Sequence, residues 1–357
     1  MEYNKKKKQK SSFLRDFRWV IVTFISIIVI AFSLFYQLPY YLEMPGGAYD
    51  IRSVLTVDKK EDKAKGSYNF VAVSVSQATV AQIIYAWLTP YTEISSAEQT
   101  TGGYSNSDFL RINQFYMETS QNSAIYQALK LAGKEANLDY KGVYVLNVSK
   151  NSTFKDSLNL ADTVTGVNGK TFSNSKDLVS YVSSLKIGDK VSVQYKSDNK
   201  AKDATGKIIK LDNGKNGIGI GLTDHTEVTS EIPVTFNTEG VGGPSAGMMF
   251  TLDIYDQLTG NFLRKGRKIA GTGTIEQDGS VGDIGGAGLK VVSADKEGAE
   301  IFFVPNNPVD KATLKKDPKA KTNYQEAKEV AKQLKTKMKI VPVTKVQDAI
   351  DYLKSTK

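Results

Sequence analysis

The most informative stretch of this 357-residue chain is Gly243-Pro244-Ser245-Ala246-Gly247, between a predicted strand and a predicted apolar helix. The glycines allow a ligand to approach the backbone closely. A helix that starts here offers unpaired N–H groups and the positive end of its dipole, and the N–H groups of Gly243 and Ser245 are candidate donors to an oxyanion. The same pattern fits Ser245 as a plain helix N-cap. These five residues alone do not decide whether Ser245 is a nucleophile or only a helix N-cap.

The Gly-x-Ser-x-Gly spacing also occurs in the nucleophile elbow of α/β-hydrolases, but that fold needs a histidine after the serine. The only histidine, His225, precedes Ser245, and residues 226–244 contain no Asp, which excludes the chymotrypsin-like order. A subtilisin-like order stays open only if His225 lies near Ser245. The polar run Thr223-Asp224-His225-Thr226 instead predicts a surface loop. A nucleophilic Ser245 therefore needs a different base, and Ser-Lys pairs are an established alternative.

A lysine base must be uncharged at working pH, so its side chain must be desolvated. Lys290 fits best, because the stretch Val281–Ala294 around it is made almost entirely of small and apolar residues. It is also predicted to lie in the first turn of a helix over 289–297, where the helix dipole disfavours a positive charge. The alternative is a surface lysine whose stem covers apolar surface while its amine stays in water.

The chain from residue 217 to 357 resembles the proteolytic domain of Lon-type (S16) serine proteases. The resemblance rests on Thr238–Gly247, on Gly273-Thr274-Ile275 with Gly279, on Ile284-Gly285-Gly286 before Lys290 and Ala294, on Gly298–Pro305, and on Ile340–Val343. It implies that Ser245 is the nucleophile and Lys290 the general base of a serine endopeptidase.

Two departures from the Lon pattern bear on the base. Lon enzymes commonly have the lysine directly after Gly-Gly-Leu, whereas this chain inserts Ala287-Gly288, which leaves Lys296 as a fallback. Glu276 stands where many Lon enzymes have a threonine that bonds the lysine. The remaining candidates for the residue that bonds the lysine are Thr272 and Thr274.

Residues 141–212 have short β runs and one helix, with a hairpin signal at Asn168-Gly169 and a helix predicted over 175–185. They resemble a PDZ domain, in which a loop offers backbone N–H groups to the C-terminus of a peptide that adds to the sheet edge. The resemblance places that loop at Lys141-Gly142-Val143-Tyr144, so that Gly142, Val143 and Tyr144 are the expected peptide-binding residues. A β-rich spacer that binds nothing is the alternative.

The amino-terminal part of the sequence predicts a membrane anchor. The net charge is +9, and residues 1–18 contribute seven basic and two acidic residues, a surplus of +5. Residues 19–42 are uncharged and mostly apolar, which suffices to cross a bilayer. The positive-inside rule places residues 1–18 in the cytoplasm and everything after residue 42 outside the cell. A cleaved signal peptide is disfavoured, because Gln37-Leu38-Pro39-Tyr40-Tyr41 offers no small-x-small cleavage site.

Composition excludes several classes of site. The chain has no cysteine and one histidine, which excludes disulfide frameworks, thiolate metal sites and most zinc hydrolases. No Gly-x4-Gly-Lys-Ser/Thr string occurs, so the nucleotide site of an ATPase is not expected. The exported part shows no cluster of Arg and aromatic residues for nucleic acid. We expect no cofactor, no metal and no nucleic-acid partner, while the oligomeric state stays open.

The predicted fold class is α+β, with an N-terminal transmembrane helix, a β-rich PDZ-like domain and a Lon-type α/β proteolytic domain. The domains are a basic cytoplasmic tail (1–18), a transmembrane anchor (19–42), an N-terminal extracellular segment (43–133), a PDZ-like domain (134–215) and a Lon-like domain (216–357). Residues 66–133 either begin the protease fold, with the PDZ region inserted into it, or stand apart from it.

This architecture resembles the ATP-independent membrane proteases of Gram-positive bacteria, among them the SepM-like pheromone-processing proteases. The resemblance implies limited cleavage of secreted peptides by a Ser-Lys dyad, with a secreted peptide or an unfolded protein as substrate. The alternative is a membrane-tethered PDZ module for peptide binding, with a catalytically inactive Lon-like domain.

Overall fold

The computed structural model describes the backbone of residues 2–356 and the side chains of residues 17–356. The side chains of the predicted basic tail therefore lie outside the described residues, except for Phe17 and Arg18. The helices are α1 Glu2–Phe35, α2 Val80–Leu88, α3 Ala97–Thr101, α4 Asn106–Leu131, α5 Ser175–Ser184, α6 Gly247–Leu258, α7 Ala287–Lys296, α8 Lys311–Lys316, α9 Asn323–Leu334 and α10 Val346–Ser355.

The strands complete a mixed α+β architecture, as the sequence predicts. They are β1 Gln37–Asp50, β2 Leu55–Val57, β3 Ser67–Thr79, β4 Glu93–Ser96, β5 Asn137–Val148, β6 Thr163–Val167, β7 Lys190–Ser197, β8 Lys200–Lys207, β9 Ile209–Lys210, β10 Asn216–Gly217, β11 Ile220–Thr229, β12 Val234–Phe236, β13 Lys268–Gly271, β14 Ile301–Pro305 and β15 Lys339–Val343.

The chain divides into two compact units. The first comprises the residues up to Pro45 together with Val73–Tyr104, and the second comprises Gly46–Ala72 together with the chain from Ser105 onward. Residues 46–72 and 105–133 therefore belong to the same unit as the residues that resemble a Lon domain.

The first unit contains α1, α2 and the antiparallel pair β1–β4. Within α1, Phe17–Phe35 has a mean hydropathy of 2.3 and is the one helix in the described part of the chain that is long and apolar enough to cross a membrane. Helix α2 begins with a capping box, in which the Thr79 hydroxyl accepts from the N–H of Gln82 and the Gln82 side chain accepts from the N–H of Thr79. Its Ala86 packs into a small core.

The sheet of the second unit has parallel strands in the order β15-β14-β13-β3. Consecutive residues of each strand face opposite sides, so Ile269 and Phe303 join one core while Ala270 and Phe302 join the other. Helices cover both sides, and β14 is accordingly buried along its whole length. Thr272 follows the carboxyl end of β13 directly, the edge of such a sheet where ligand sites are usually built.

A second sheet in the order β11-β5-β6-β7-β8 has its own hydrophobic core, which α5 completes. Strand β11 pairs with β5 in antiparallel register, from Ile220 opposite Val148 to Thr229 opposite Asn137. This sheet thus extends beyond the predicted limit of the PDZ-like domain at residue 215. The prediction that His225 lies in a surface loop is wrong, because His225 sits within β11 opposite Gly142.

Candidate active site

Ser245 lies in the loop that leads into α6. The helix begins at Gly247, its N-cap is Ala246, and no side chain caps it. The interpretation of Ser245 as an N-cap is therefore wrong, because the helix starts one residue later than that role requires. The Ser245 hydroxyl is left to interact with another part of the chain.

Lys290 reaches the same place from α7. The helix begins at Ala287, after Gly286 in the left-handed conformation with φ 65°, so the inserted Ala287-Gly288 forms its first turn. The Lys290 N–H makes the helical bond to the carbonyl oxygen of Gly286 at 3.0 Å. Its side chain is 2% exposed, whereas the fallback Lys296 is exposed at the other end of the helix.

Three side chains meet at the candidate site. Nζ of Lys290 lies 2.8 Å from Oγ of Ser245 and 2.9 Å from Oγ1 of Thr272. The Thr272 hydroxyl donates to the carbonyl oxygen of Ser245 at 3.1 Å, which leaves its lone pairs facing the amine. Thr272 therefore occupies the position beside the lysine, while Glu276 is exposed.

Burial changes the acid–base chemistry of Lys290. Removing the amine from water disfavours its charged form and lowers the pKa of Lys290 from 10.5 to about 7. A large fraction of the amine is therefore uncharged at neutral pH. An uncharged amine offers a lone pair to the Ser245 hydroxyl, which is the requirement for a general base.

The backbone before Ser245 is held by α4. The N–H of Gly243 donates to the carbonyl oxygen of Asn113 at 2.8 Å. The expectation that the Gly243 N–H is available to an oxyanion is therefore corrected for this conformation, because that donor already has a partner. Across residues 2–356, the N–H groups of Ser245 and of Ala246 donate to no acceptor, and Ala246 was not among the predicted donors.

Helix α4 also contacts the nucleophile loop through a hydroxyl, a residue that sequence reasoning did not single out. Ser120 Oγ donates to the carbonyl oxygen of Pro244 at 2.9 Å, directly before Ser245. Thr119 and Asn122, on the adjoining side of the helix, donate to the carbonyl oxygens of Asp224 and Thr226 in β11. No sequence signal marks these contacts, since Ser, Thr and Asn on a long polar helix are ordinary surface residues.

His225 belongs to the second sheet. Its Nδ1 lies 2.9 Å from Thr163 Oγ1, and its ring stacks on that of Tyr144 with 4.0 Å between centroids. Burial lowers its pKa. The side chain that contacts the Ser245 hydroxyl is Lys290 and not His225. This geometry therefore gives no support to a subtilisin-like order that uses His225.

The predicted peptide-binding loop is corrected by the structure. Gly142, Val143 and Tyr144 lie inside β5, with β11 on one side, and Val143 and Tyr144 also pair with β6 on the other. Their backbone is therefore in the interior of the sheet, where no peptide strand can be added. A Cβ at Gly142 would clash with the carbonyl oxygen of Val164, so this glycine serves close packing between strands.

Strand β11 is one edge of this sheet, and a groove of about 140 Å³ lies between its start and α5. Leu178, Val179 and Val182 line the groove from the helix, and Ile220 and Leu222 line it from the strand, with Ile218 just before it. The alternating run Gly217-Ile218-Gly219-Ile220 is the sequence signal that could have located it. Gly219 has φ +75°, a conformation that other residues rarely adopt.

The described residues hold no group of three or more His, Asp or Glu side chains placed to bind a metal ion.

Two family models match the chain. The PDZ domain matches residues 116–208, and the Lon protease (S16) C-terminal proteolytic domain matches residues 222–355. A Lon protease from Aster yellows witches'-broom phytoplasma is 24% identical over 111 residues, which cover 31% of this chain. The match spans only 12% of the length of that relative.

Solved structures of PDZ domains are similar to one part of the chain. The PDZ domain of an SdrC-like protein from Listeria monocytogenes is 36% identical, with 23% of this chain and 88% of that chain covered and a TM-score of 0.22. The corresponding domain from Listeria innocua is 35% identical, with 24% and 96% covered and a TM-score of 0.23. By its two family matches, the chain carries a PDZ domain followed by a C-terminal proteolytic domain of the Lon (S16) type, and it matches a Lon-like protease.

Proposed function

We propose that this protein is an ATP-independent, membrane-anchored serine endopeptidase with Ser245 as nucleophile and Lys290 as general base. The observation that carries the proposal is the 2.8 Å distance between Lys290 Nζ and Ser245 Oγ, at a lysine that is 2% exposed. A charged lysine in that position would be costly, whereas an uncharged one is a competent base.

The proposed reaction begins when the uncharged amine of Lys290 accepts the proton of the Ser245 hydroxyl as its oxygen attacks the scissile carbonyl. The resulting ammonium donates to Thr272 Oγ1 and returns the proton to the leaving amine of the peptide. Water then attacks the acyl group on Ser245 while Lys290 accepts a proton from it, and the ammonium returns that proton to Ser245 Oγ as the bond to the acyl group breaks and the acid product leaves. The lysine ends each cycle uncharged, as it began.

Backbone donors stabilise the oxyanion in this proposal. The N–H groups of Ser245 and Ala246 are unpaired within the described chain and lie at the start of α6, whose dipole favours negative charge. Loss of one such donor typically costs about 100- to 1,000-fold in rate. The N–H of Gly243 can join them only if its bond to Asn113 opens.

The substrate is proposed to be a secreted peptide, such as a signalling pheromone, or an unfolded segment of an exported protein. The groove between β11 and α5 suits an extended peptide that adds to the edge of β11, with apolar side chains against Val179 and Leu222. The surplus of positive residues in 1–18, at the amino-terminal end of the apolar stretch, favours an extracellular position for the catalytic part. The absence of a Gly-x4-Gly-Lys-Ser/Thr string supports cleavage without ATP.

The test is cleavage of peptides by the purified full chain in detergent, followed by mass spectrometry. Wild-type protein is expected to cut, Ser245→Ala and Lys290→Met to be inactive, and a serine-directed reagent to label Ser245 only when Lys290 is intact. Lys296→Met is the matched control, because that lysine is exposed on the same helix. Equal cleavage by wild type and Ser245→Ala would refute the proposal.

The second candidate function is a peptide-binding module whose Lon-type domain is inactive, motivated by the inserted Ala287-Gly288. The insertion forms the first turn of α7 and leaves Lys290 in contact with Ser245, which removes its main motivation. Peptide binding in the β11–α5 groove without any labelling of Ser245 would favour this candidate.

A further inference from the structure

Helix α2 exposes the large apolar side chains that a helix normally buries. Trp87 is 74% exposed and Leu88 is 79% exposed, and Ile84 and Tyr85 are about half exposed. At helical spacing these four positions form one continuous face. The opposite face packs with the small Ala86 and with Ile83. The helix thus turns its larger apolar surface outward, which in a water-soluble protein marks an interaction surface.

The sequence around this face is unusual for a surface in contact with water. Residues 66–92 contain no Asp, Glu, Lys or Arg. The capping box of Thr79 and Gln82 nevertheless fixes α2 as a regular helix, so the exposed face belongs to an ordered helix and not to a frayed end. The partner of this face must therefore be apolar and must tolerate the polar atoms of tryptophan and tyrosine.

The position of α2 within the first unit points to what that partner is. Helix α2 contacts α1, the helix that contains the membrane-spanning stretch. Gln77, three residues before α2, donates to the carbonyl oxygen of Leu38 at 3.1 Å, three residues after α1 ends at Phe35. The start of α2 therefore lies beside the point where the chain leaves the apolar stretch.

We propose that the face of α2 formed by Ile84, Tyr85, Trp87 and Leu88 rests in the outer interfacial region of the bilayer that α1 spans. Trp and Tyr favour this region, because their rings are apolar and their N–H and O–H groups still reach water. An uncharged helix lying in the interface buries its apolar face at the boundary of headgroups and acyl chains. The proposal rests on the membrane anchoring by α1 that forms part of the proposed function.

The chain contains two tryptophans, Trp19 in α1 and Trp87 in α2, so each can be made the single reporter in the full-length protein. The protein is reconstituted in phosphatidylcholine vesicles with or without lipids brominated near the headgroup end of the acyl chains. In Trp19→Phe we expect a blue-shifted emission from Trp87 and loss of roughly half of it to the brominated lipid. Adding Leu88→Glu should restore most of that emission, since Leu88 is exposed and its replacement leaves the core intact.

The reciprocal variant Trp87→Phe reports on Trp19, so it tests the membrane anchor separately from the position of α2. Quenching of Trp19 without quenching of Trp87 would overturn the interfacial position of α2 and leave the anchor standing. Absence of quenching at both would overturn the anchor and this inference together, while peptide cleavage would still be measured independently. A blue shift of Trp87 that grows with protein density and ignores bromination would show a second copy on this face and would equally overturn the proposal.

Discussion

Thr272 Oγ1 lies 2.9 Å from Lys290 Nζ, and the same hydroxyl donates its hydrogen to the carbonyl oxygen of Ser245. The hydroxyl thus fixes both members of the proposed dyad from one buried position at the end of β13. Because its hydrogen is committed to Ser245, it can face the amine only as an acceptor, which favours the ammonium form.

Thr272→Val is expected to lower kcat/KM by about 10- to 100-fold, the effect of removing one partner from a buried polar group. The loss of an acceptor for the ammonium should also move the pKa of Lys290 lower still, so the remaining activity should rise at lower pH than in the wild type. Peptide cleavage across a pH series measures both effects. Thr272→Ser keeps the hydroxyl and should restore most of the rate; an equally damaged Thr272→Ser would contradict this role.

The pH dependence of the wild-type reaction follows from the burial of Lys290. Its pKa is lowered to about 7, and the base must be uncharged, so kcat/KM should rise with pH and level off above neutrality, with its half-maximal value near pH 7. Steady-state cleavage of one peptide between pH 5 and pH 9, buffered at constant ionic strength, provides the profile. A midpoint above pH 9 would mean that the amine is solvated in the functional protein.

Burial of Lys290 should also make the protein less stable at low pH than it would be with an apolar residue there. Unfolded lysine binds a proton up to about pH 10.5 and folded Lys290 only up to about pH 7, so the unfolding free energy contributed by this residue rises between these values. Lys290→Met removes the penalty, which amounts to roughly 5 kcal/mol at pH 6 at ~1.4 kcal/mol per pKa unit.

Urea unfolding of wild type and Lys290→Met, at pH 6 and at pH 10, tests this. The variant should be the more stable protein at pH 6, and its advantage should nearly vanish at pH 10. Comparing the two proteins at each pH cancels the other titrating groups. An advantage that is the same at both pH values would show that the effect is one of packing alone.

Sequence reasoning singled out Ser245 and Lys290 because each sits in a local pattern with a physical meaning. Glycines around a serine at a helix start, and a lysine among small apolar residues, can both be seen without a structure. The start of α7 at Ala287 could not be predicted from the sequence, because a glycine such as Gly288 disfavours a helix and the turn depends on its packing in the folded protein. The partners of the two residues, Thr272 and Ser120, depend on contacts between distant segments.

The PDZ-like region was recognised from its residues, but one strand of its sheet was not. The run Thr223-Asp224-His225-Thr226 lacks apolar alternation, which predicts a loop, yet it lies within β11 because β5 pairs with it in antiparallel register, with a shift after His225. The prediction therefore missed this strand and assigned peptide binding to Gly142–Tyr144, with which the strand pairs. Tertiary pairing overrode local propensity here.

The groove between β11 and α5 gives a prediction about peptide affinity. Val179 lines it and is 39% exposed, so Val179→Glu can fold while placing a charge against the apolar side chains of a bound peptide. We expect about tenfold weaker binding, the effect of roughly 1.4 kcal/mol. Ser180→Glu adds the same charge at an exposed neighbour outside the groove and should bind normally. Fluorescence anisotropy with a labelled peptide compares them, and equal weakening by both would place the peptide elsewhere.

Two neighbouring hydroxyls on helix α4 form hydrogen bonds to different parts of the chain. Ser120 Oγ donates to the carbonyl oxygen of Pro244 beside the nucleophile, and Thr119 Oγ1 donates to that of Asp224 in β11. Ser120→Ala should loosen the nucleophile loop by the value of one hydrogen bond, about 1 kcal/mol, and lower kcat about fivefold with little change in KM.

Thr119→Val removes a comparable bond outside the nucleophile loop, so it should cost similar stability without the same fall in kcat. The loss of rate should therefore follow the bond to Pro244 and not the stability of the protein, since only that bond positions the backbone next to Ser245. Steady-state kinetics and urea unfolding of both variants separate the two quantities. A fall in kcat that is equal in Thr119→Val and Ser120→Ala would mean that α4 acts on the site through overall stability, and the positioning role of Ser120 would be wrong.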